Sequence, residues 1–358
     1  MEINRRTLLK SVASIPVALS PINAWGARLD KHVTTGRDKD GQFYAYILDQ
    51  RGGISEKIAL QGRGHGVAYN KSAKKAVLFA RRPGRFALAF NPYKPIKITV
   101  FEPPIDRHFY GHGVFSKNGN LLFATENDFD GEKGVIGIYD AQNDFQRLGE
   151  FDSGGIGPHE IILSQDGKTL IVANGGIATH PDYPRDKLNL ADMNPNLSYI
   201  SINNEAIDLS LSLDASLHQV SLRHLSIDTL GTVWIGGQYQ GVKSDQVPLS
   251  FTLSHKDKRI TPLHVPVKLQ AQMKQYVGSV SVNNIAGLAA MSAPRGNKIY
   301  LWNLNSQSLI KTISIIDGCG VAVDEDGFLI TSGQGQIVSP THRSTTVGVN
   351  WDNHITAL

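Results

Sequence analysis

The stretch RHFYGHGVFSKNGNLLFATENDFD, residues 107–130, has the pattern of a strand, a tight turn and a second strand. Its SKNGN centre contains Asn-Gly, which supplies the positive φ angles that a β-hairpin turn needs. The same pattern returns in three further stretches: GHGVAYNKSAKKAVLFARRPG (64–84), PHEIILSQDGKTLIVANGG (158–176) and RHLSIDTLGTVWIGGQYQG (223–241). The chain is therefore built from repeats of one strand–turn–strand unit.

One histidine holds an equivalent place in each of these copies, and its spacing gives the size of the unit. His65 and His112 are 47 residues apart, and so are His112 and His159. The step from His159 to His224 is 65 residues, because an insertion at residues 177–199 lengthens that copy. A regular period of this length is typical of repeat architectures.

Copies without this histidine complete the set. They lie at residues 34–52, 278–304 and 319–335, and in the last of them Cys319 takes the place of the histidine. Seven copies of about 47 residues, each with room for four short strands, match the blades of a propeller. We predict an all-β fold, a single seven-bladed β-propeller of four-stranded antiparallel blades. The C-terminal TTVGVNWDNHITAL would close the ring with an early strand, and residues 266–278 would hold one short helix.

Composition excludes several functions. The 358 residues are 41% hydrophobic and 19% charged, which is ordinary for a globular protein. The net charge is only +4, and no stripe of Lys and Arg with interleaved aromatic residues is present, so we expect no nucleic-acid partner. The single cysteine, Cys319, excludes an intrachain disulfide and a cysteine zinc cluster. The usual sequence signatures of serine hydrolases, zinc proteases, phosphate loops and c-type haem attachment are absent from the chain.

The N-terminus has the pattern of an export signal. NRRTLLK, residues 4–10, places paired arginines before the short, mildly apolar SVASIPVALSPINA, residues 11–24. This apolar segment is too short and too polar to span a membrane. We predict a twin-arginine signal at residues 1–27, a propeller domain over residues 28–358, a periplasmic location and no stable membrane insertion.

Several longer words carry a resemblance to a known family. ARRPG, RHFYGHGVFS, TENDFD, GVIGIYDA, ANGGIATHPD and KLNLADMNPNLSYI resemble a bacterial family of Tat-exported propellers catalogued as domain of unknown function 1513. The resemblance covers nearly all of the chain after the signal. It implies a periplasmic propeller, encoded in some cases near imelysin-like iron-uptake proteins, and it assigns no catalytic residues.

The recurring histidines are expected to meet. The first strand of each propeller blade lines the central channel, so equivalent residues of successive blades form a ring. His65, His112, His159 and His224 would surround one mouth of the channel, with Cys319 at the same level. Neutral imidazoles are good ligands for transition metals, so these four histidines are candidate metal ligands.

Two other interpretations of the ring remain open. Each histidine could instead donate a hydrogen bond to the backbone of a neighbouring blade and hold the blades together. Alternatively, Arg107 and Arg223 beside the ring favour an anionic ligand, because guanidinium groups form paired hydrogen bonds with carboxylate or phosphate.

Further candidate ligand-binding residues come from the repeat motifs and from the insertion. Long loops in compact domains are often binding loops, which favours the insertion as part of a site. In TENDFDGEKG, residues 125–134, the alternating acidic residues resemble a calcium loop, although its glycine and distal glutamate positions do not fit. The predicted ligand-binding residues are Arg107, His108, Glu126, Asn127, Asn174, His180, Arg223, Gln238 and Arg295.

These observations predict a periplasmic binding or scaffold protein. Its ligand or protein partner would bind at the histidine-ringed channel mouth, in a role accessory to metal (iron) uptake. The alternative is a metal-dependent periplasmic hydrolase or oxidoreductase that uses the same histidines. The sequence leaves the substrate, the metal and the presence of an enzymatic activity open.

Overall fold

The computed structural model describes residues 32–358 except 96, 184–185, 255–257, 326 and 341. The predicted signal at residues 1–27 lies outside the described residues. The described chain forms seven four-stranded antiparallel sheets, which confirms the predicted seven-bladed propeller. None of the helices in this part of the chain has the length and apolar composition of a membrane span.

The strands follow one another blade by blade. The first four blades hold β1 (His32–Asp38), β2 (Phe43–Leu48), β3 (Ile54–Ala59); β4 (Gly64–Asn70), β5 (Lys75–Ala80), β6 (Ala87–Phe90), β7 (Ile98–Phe101); β8 (Arg107–Phe115), β9 (Leu121–Asp128), β10 (Lys133–Asp140), β11 (Gln146–Asp152); and β12 (Pro158–Leu163), β13 (Thr169–Asn174), β14 (Asn196–Ser201), β15 (Ala206–Ser212).

The remaining three blades and the closing strand follow. They hold β16 (Val220–Ile227), β17 (Val233–Tyr239), β18 (Ser250–Leu253), β19 (Ile260–Pro262); β20 (Ser279–Asn283), β21 (Leu288–Ala293), β22 (Lys298–Asn303), β23 (Leu309–Ser314); β24 (Gly318–Asp324), β25 (Gly327–Ser332), β26 (Gln336–Val338), β27 (Arg343–Thr345); and β28 (Val349–Ala357). The α-helix α1 (Val267–Gln272) lies in the segment where a short helix was expected, and three 3-10 helices span Leu190–Asp192, Ala215–Leu217 and Pro294–Gly296.

The first blade is a composite of both ends of the propeller. Strand β28 pairs antiparallel with β1, with His32 opposite Ala357 and Asp38 opposite Val349. This is the closure that the sequence predicted. It makes β28 the innermost strand of the first blade, beside β4 on one side and β24 on the other. Closure of the ring pairs strand edges that would otherwise be free.

Apolar layers between the blades hold this ring rigid. Phe79 of one blade meets Phe109 of the next edge to face, with the ring centroids 5.3 Å apart, and both side chains are fully buried. Farther round, Trp234 and Trp302 are buried in another shared cluster. Each fully buried large side chain contributes roughly 1.5–3 kcal/mol. The inner strands are therefore well-fixed platforms for a site.

Candidate functional site

The recurring histidines lie at interruptions in the inner strands. The inner strands of the seven blades, which line the channel, are β28, β4, β8, β12, β16, β20 and β24. Six of them carry a β-bulge, in which extra residues lie opposite one residue of the next strand. Strand β20 pairs regularly. Such bulges change the direction in which side chains point. The bulges fall between Gly64 and Val67, Phe109 and Gly113, Pro158 and Glu160, Leu222 and His224, Gly318 and Val321, and between Trp351 and Ile355 opposite β1.

Hydroxyl groups of the second strands satisfy carbonyl groups that the bulges release from the ladder. Thr125 Oγ1 lies 3.0 Å from the carbonyl oxygen of His112 and 3.3 Å from that of His159. Thr34 Oγ1 donates to the carbonyl oxygen of His354 at 2.7 Å. These three bulges are therefore supported features of the backbone, because a buried carbonyl without a partner would be costly.

Glycines beside two of the histidines allow the rings to approach one another. Gly111 has φ +104°, and a Cβ atom there would overlap Cδ2 of His65. A Cβ atom on Gly66 would lie 2.7 Å from Nδ1 of His112. The Gly-His-Gly sequence of these strands is therefore required by the packing of the imidazoles.

Five imidazoles converge at this level of the channel. The four predicted histidines are joined by His354 of β28, and all five are buried. The ring centroids of His65 and His354 are 4.4 Å apart, and those of His112 and His159 are 4.9 Å apart. Two groups of three have potential ligand atoms within 4.8 Å of one another: His65, His112 and His159, and His112, His224 and His354. His112 belongs to both groups.

Most of these imidazoles have a nitrogen without a partner. Within the described part of the chain, no hydrogen bond reaches Nδ1 of His65 or His159, or Nε2 of His112 or His354. The exception is His224, whose Nδ1 donates to Glu160 Oε2 at 3.2 Å. None of the five rings donates to a carbonyl group of the described residues, whereas His32 Nε2 lies 3.0 Å from the carbonyl oxygen of Val323.

Glu160 connects two members of the cluster. Its Oε2 also accepts the backbone N–H of Leu225 at 3.1 Å, and its Oε1 lies 3.6 Å from Nδ1 of His112. A carboxylate on one imidazole nitrogen fixes the ring and leaves the other nitrogen to act as an acceptor. Burial raises the pKa of Glu160, and the neighbouring His112 opposes that shift.

The five imidazoles are neutral at neutral pH. Burial is the largest cause, and it lowers the pKa of His112 and of His224 to about 3. The pKa values of His65, His159 and His354 also lie well below the ordinary value; burial is again the largest cause, and the positive charges of Arg223 near His159 and of Arg81 near His65 and His354 add to it. The neutral form is the one that coordinates metals.

A basic cavity of about 850 Å³ opens beside the cluster. His65, His159 and His224 form part of its wall. Of the described residues around it, seven are Lys or Arg and one, Asp245, is acidic. The Asp245 carboxylate already accepts the hydroxyl of Tyr239 at 2.7 Å.

Arg223 lies at the centre of this positive region. It is the extra residue in the bulge of β16 and is only 8% exposed. Burial and then the charge of Arg82 lower the pKa of Arg223 to about 10, so the guanidinium remains a cation at neutral pH. Gln238 and Arg295 also face the cavity, and Arg295 lies over the ring of Tyr276 at 4.3 Å. Three of the predicted ligand-binding residues are thus at the cavity.

Arg107 and Glu126 belong instead to an ion network within the third blade. Glu126 is fully buried, and it accepts the hydroxyl of Tyr139 at 2.5 Å and the guanidinium of Arg147 at 3.0 Å. Arg107 forms ion pairs with Glu150, Glu126 and Asp128. In the calcium-like loop, the Asp128 carboxylate is thus paired with Arg107, and it also accepts the backbone N–H of Gly131 at 2.9 Å.

The other predicted ligand-binding residues mainly fix the insertion and its blade. Asn127 donates to the carbonyl oxygen of Thr179 at 3.0 Å, and its amide lies 3.1 Å from Nε2 of His108. Asn174 donates to Asn196 of its own blade and to the carbonyl oxygen of Ser153, which directly follows the last strand of the third blade. His180 Nε2 lies 3.2 Å from an oxygen of the Asp130 carboxylate. The insertion is thereby anchored, and it carries Lys187 across to Gln240, where the two side chains are 2.6 Å apart.

Sequence reasoning missed His354, Glu160 and the Arg81–Arg82 pair as residues of this region. Cys319 was expected at the level of the histidines, but its Sγ lies 3.2 Å from the carbonyl oxygen of Asp352, among backbone groups. Burial raises the pKa of this thiol to about 12. The fifth side chain of the cluster is therefore His354, from the strand that closes the propeller, and not Cys319.

Comparison with known proteins shows the family to which the chain belongs. The model of a family described as "Protein of unknown function (DUF1513)" matches residues 58–358. The chain belongs to the DUF1513 family. No curated protein matches the DUF1513 chain.

Two solved structures show that the DUF1513 fold is shared with distant propellers. Kuenenia stuttgartiensis hydrazine synthase has 11% sequence identity and a TM-score of 0.60, and the match covers 92% of this chain and 100% of that one. The β-propeller domain of Myceliophteria thermophila Cps50 (Swd1) has 11% identity and a TM-score of 0.55, with 94% and 99% covered. At this identity the likeness concerns the fold alone.

Proposed function

We propose that this DUF1513 propeller is a periplasmic binding protein that holds one transition-metal ion in its five-histidine cluster. The observation that supports the proposal most strongly is the convergence of five buried imidazoles, four of which keep a nitrogen without a partner. Buried polar atoms are nearly always hydrogen-bonded, so a concentration of unpartnered ones indicates a missing ligand. A metal ion would satisfy them together.

The donor set selects the class of metal. Neutral imidazole nitrogen suits zinc, copper, nickel and iron, whereas calcium and magnesium require oxygen ligands. Ligand nitrogens at about 2.0–2.1 Å from a tetrahedral ion are separated by roughly 3.3 Å. Rotation of the side chains would close the present spacing of up to 4.8 Å within each group of three. Glu160 would then hold His224 in the orientation that presents its free nitrogen.

A binding role fits the surroundings of the cluster better than a catalytic one. The cavity offers cations and neutral imidazoles, and its one described acidic residue is already hydrogen-bonded to Tyr239. Besides Asp245, the imidazoles are the only bases among the described cavity residues, and burial lowers their pKa values, which weakens them as general bases for hydrolysis. We propose that the protein is accessory to metal uptake, with iron as the first candidate, and that a small ligand or a periplasmic partner protein engages the open mouth.

One observation favours the alternative of a metal-dependent enzyme. Three of the histidines, His65, His159 and His224, also face the cavity, so a metal held by them would remain accessible to a substrate. Catalytic metal sites keep such an open position. Turnover of a hydrolysable or reducible substrate by the metal-loaded protein, lost with the metal, would support this second function.

Metal binding can be tested by substitution of His112, which belongs to both groups of three. The metal-free protein is titrated with zinc, copper, nickel and ferrous iron, and bound metal is measured by elemental analysis after gel filtration. The wild type should retain one equivalent, and His112→Gln should retain much less. His264→Gln is the control, because His264 is exposed.

Thermal melting of the metal-free forms separates binding from a structural role. Because Nε2 of His112 has no hydrogen-bond partner among the described residues, His112→Gln should melt near the wild type when both are free of metal. If the wild type binds no metal and His112→Gln lowers the melting temperature by several degrees, the histidines hold the blades together and the proposal fails.

A further inference from the structure

Arg223 is a buried cation without a counterion. The residue is 8% exposed, and none of the described residues forms an ion pair or a hydrogen bond with its guanidinium group. Burial of an uncompensated charge costs several kcal/mol. Arg63, in contrast, is neutralised by Asp352 through contacts of 2.5 and 3.0 Å. A positive charge left unpaired at a cavity wall indicates that an anion belongs there.

Other positively charged side chains line the same cavity as Arg223. Arg81 and Arg82 come directly after β5 and face the same cavity. Neither side chain forms an ion pair with an acidic group of the described chain, and Asp352, whose charge acts on Arg81, is already paired with Arg63. Lys187 reaches the cavity from the insertion. Three guanidinium groups and an ammonium group thus surround one volume, in which Asp245 is the only acidic residue described.

The size and position of the cavity restrict the ligand. About 850 Å³ lies within the usual range for a small-molecule pocket. The same wall carries His65, His159 and His224, so an anion held by the arginines would share its cavity with the histidine cluster. Guanidinium groups recognise carboxylate and phosphate oxygens through paired hydrogen bonds.

We infer that this cavity binds a small polyanion bearing carboxylate or phosphate groups, held by Arg223, Arg81, Arg82 and Lys187, with one of its oxygens directed at the histidine cluster. The part of this inference that concerns the cluster rests on the proposed metal site, because that oxygen would complete the coordination of the bound ion. By linkage, the metal would then raise the affinity for the anion, and the anion would raise the affinity for the metal by the same factor.

Calorimetric titration tests the anion site on the full chain. Citrate, tripolyphosphate and inorganic phosphate are each titrated into metal-free and zinc-loaded protein. We expect citrate or tripolyphosphate to bind with one-to-one stoichiometry, and the affinity should fall as the salt concentration is raised. Tighter binding of citrate would indicate a carboxylate ligand, and tighter binding of tripolyphosphate would indicate a phosphate ligand. Arg223→Gln should weaken binding about ten- to a hundredfold, because a hydrogen bond to a charged group is lost.

The melting temperature of Arg223→Gln shows whether weak anion binding comes from the lost guanidinium group or from a damaged fold. Without any anion, Arg223→Gln should melt at a higher temperature than the wild type, because the substitution removes an uncompensated buried charge. Arg259→Gln is the matched control, since Arg259 is exposed and is not part of the cavity lining. A lower melting temperature for Arg223→Gln, or unchanged anion affinity, would overturn the inference.

The two proposals fail separately. Anion binding by metal-free protein that retains no metal would support the anion site and contradict the metal site. If the protein retains one metal ion but binds none of the three anions at millimolar concentration, the metal site is supported and the anion site is contradicted. Equal anion affinity with and without bound zinc would contradict the shared coordination while leaving the arginine site supported.

Discussion

Substitution of Gly111 by alanine should disrupt the histidine cluster, because the added side chain fits neither the backbone conformation of Gly111 nor the space beside His65. Gly111 lies in the bulge of β8 with φ +104°, a conformation that residues with a side chain rarely adopt. An added Cβ atom would overlap Cδ2 of His65 and would contact its Cβ and Cγ at about 3.0 Å. The backbone or the His65 ring must move, and either change separates His65 from His112.

The cost can be worked out from these two effects. A residue held at an unfavourable φ costs about 1–3 kcal/mol, and overpacking of a well-packed region typically costs a further 1–3 kcal/mol. The sum is about 2–6 kcal/mol. With an unfolding entropy of about 2.1 cal/mol/K per residue, a chain of this length should lose roughly 3–8 °C of melting temperature.

Scanning calorimetry and metal retention measure the two consequences of Gly111→Ala. Gly149→Ala is the matched control, because a Cβ atom at Gly149 meets nothing within 4 Å and its φ is not positive. We expect Gly111→Ala to melt lower and to retain less zinc than Gly149→Ala. Equal melting temperatures and equal zinc retention for the two variants would refute the explanation of the Gly-His-Gly pattern.

Three further predictions concern the scaffold and the location. Thr125→Val removes the hydroxyl that donates to two bulge carbonyls, so it should cost about 1–3 kcal/mol in chemical denaturation and weaken zinc binding, while Thr125→Ser should restore both. Glu126→Gln should destabilise the protein by about 1–3 kcal/mol, because it weakens the buried acceptor of Tyr139 and Arg147 while Arg107 and Arg147 keep Glu150, and it should leave metal and anion affinities unchanged. Replacement of both Arg5 and Arg6 by lysine should leave precursor in the cytoplasm by cell fractionation, and normal periplasmic accumulation would contradict the predicted twin-arginine signal.

The propeller was predictable because its signals are local and repeated. Asn-Gly and Asp-Gly turns between short apolar runs define hairpins, and a regular period of 47 residues defines the blade. Even the closing strand could be predicted, since a closed ring needs the C-terminal segment to pair with an early strand of the first blade. None of these inferences requires knowledge of where an individual side chain points.

The candidate site was only partly predictable, because bulges change side-chain direction without a clear sequence signal. The recurrence of His65, His112, His159 and His224 identified four of the five converging rings. His354 was missed because its strand belongs to the first blade in space but to the end of the chain in sequence. Alignment of DNHITAL with the inner strands could have identified it.

The charged candidates show the same limit. Arg107 pairs in register with Asp128 across β8 and β9, so its guanidinium is used inside the blade. Arg223 looks equivalent in sequence, because each arginine precedes a histidine, but it lies in a bulge and has no acidic partner among the described residues. The register of the neighbouring strand, which the sequence does not reveal, decides between the two outcomes.

The central claim is that the clustered imidazoles bind a transition metal, and X-ray absorption spectroscopy of the zinc-loaded protein tests it most directly. The proposed site predicts a first shell with at least three nitrogen donors at about 2.0–2.1 Å, with the multiple scattering that imidazole rings produce. The same spectrum should be lost in His112→Gln and kept in His264→Gln. A shell made only of oxygen, or failure of the wild type to retain zinc at one equivalent, would contradict the account.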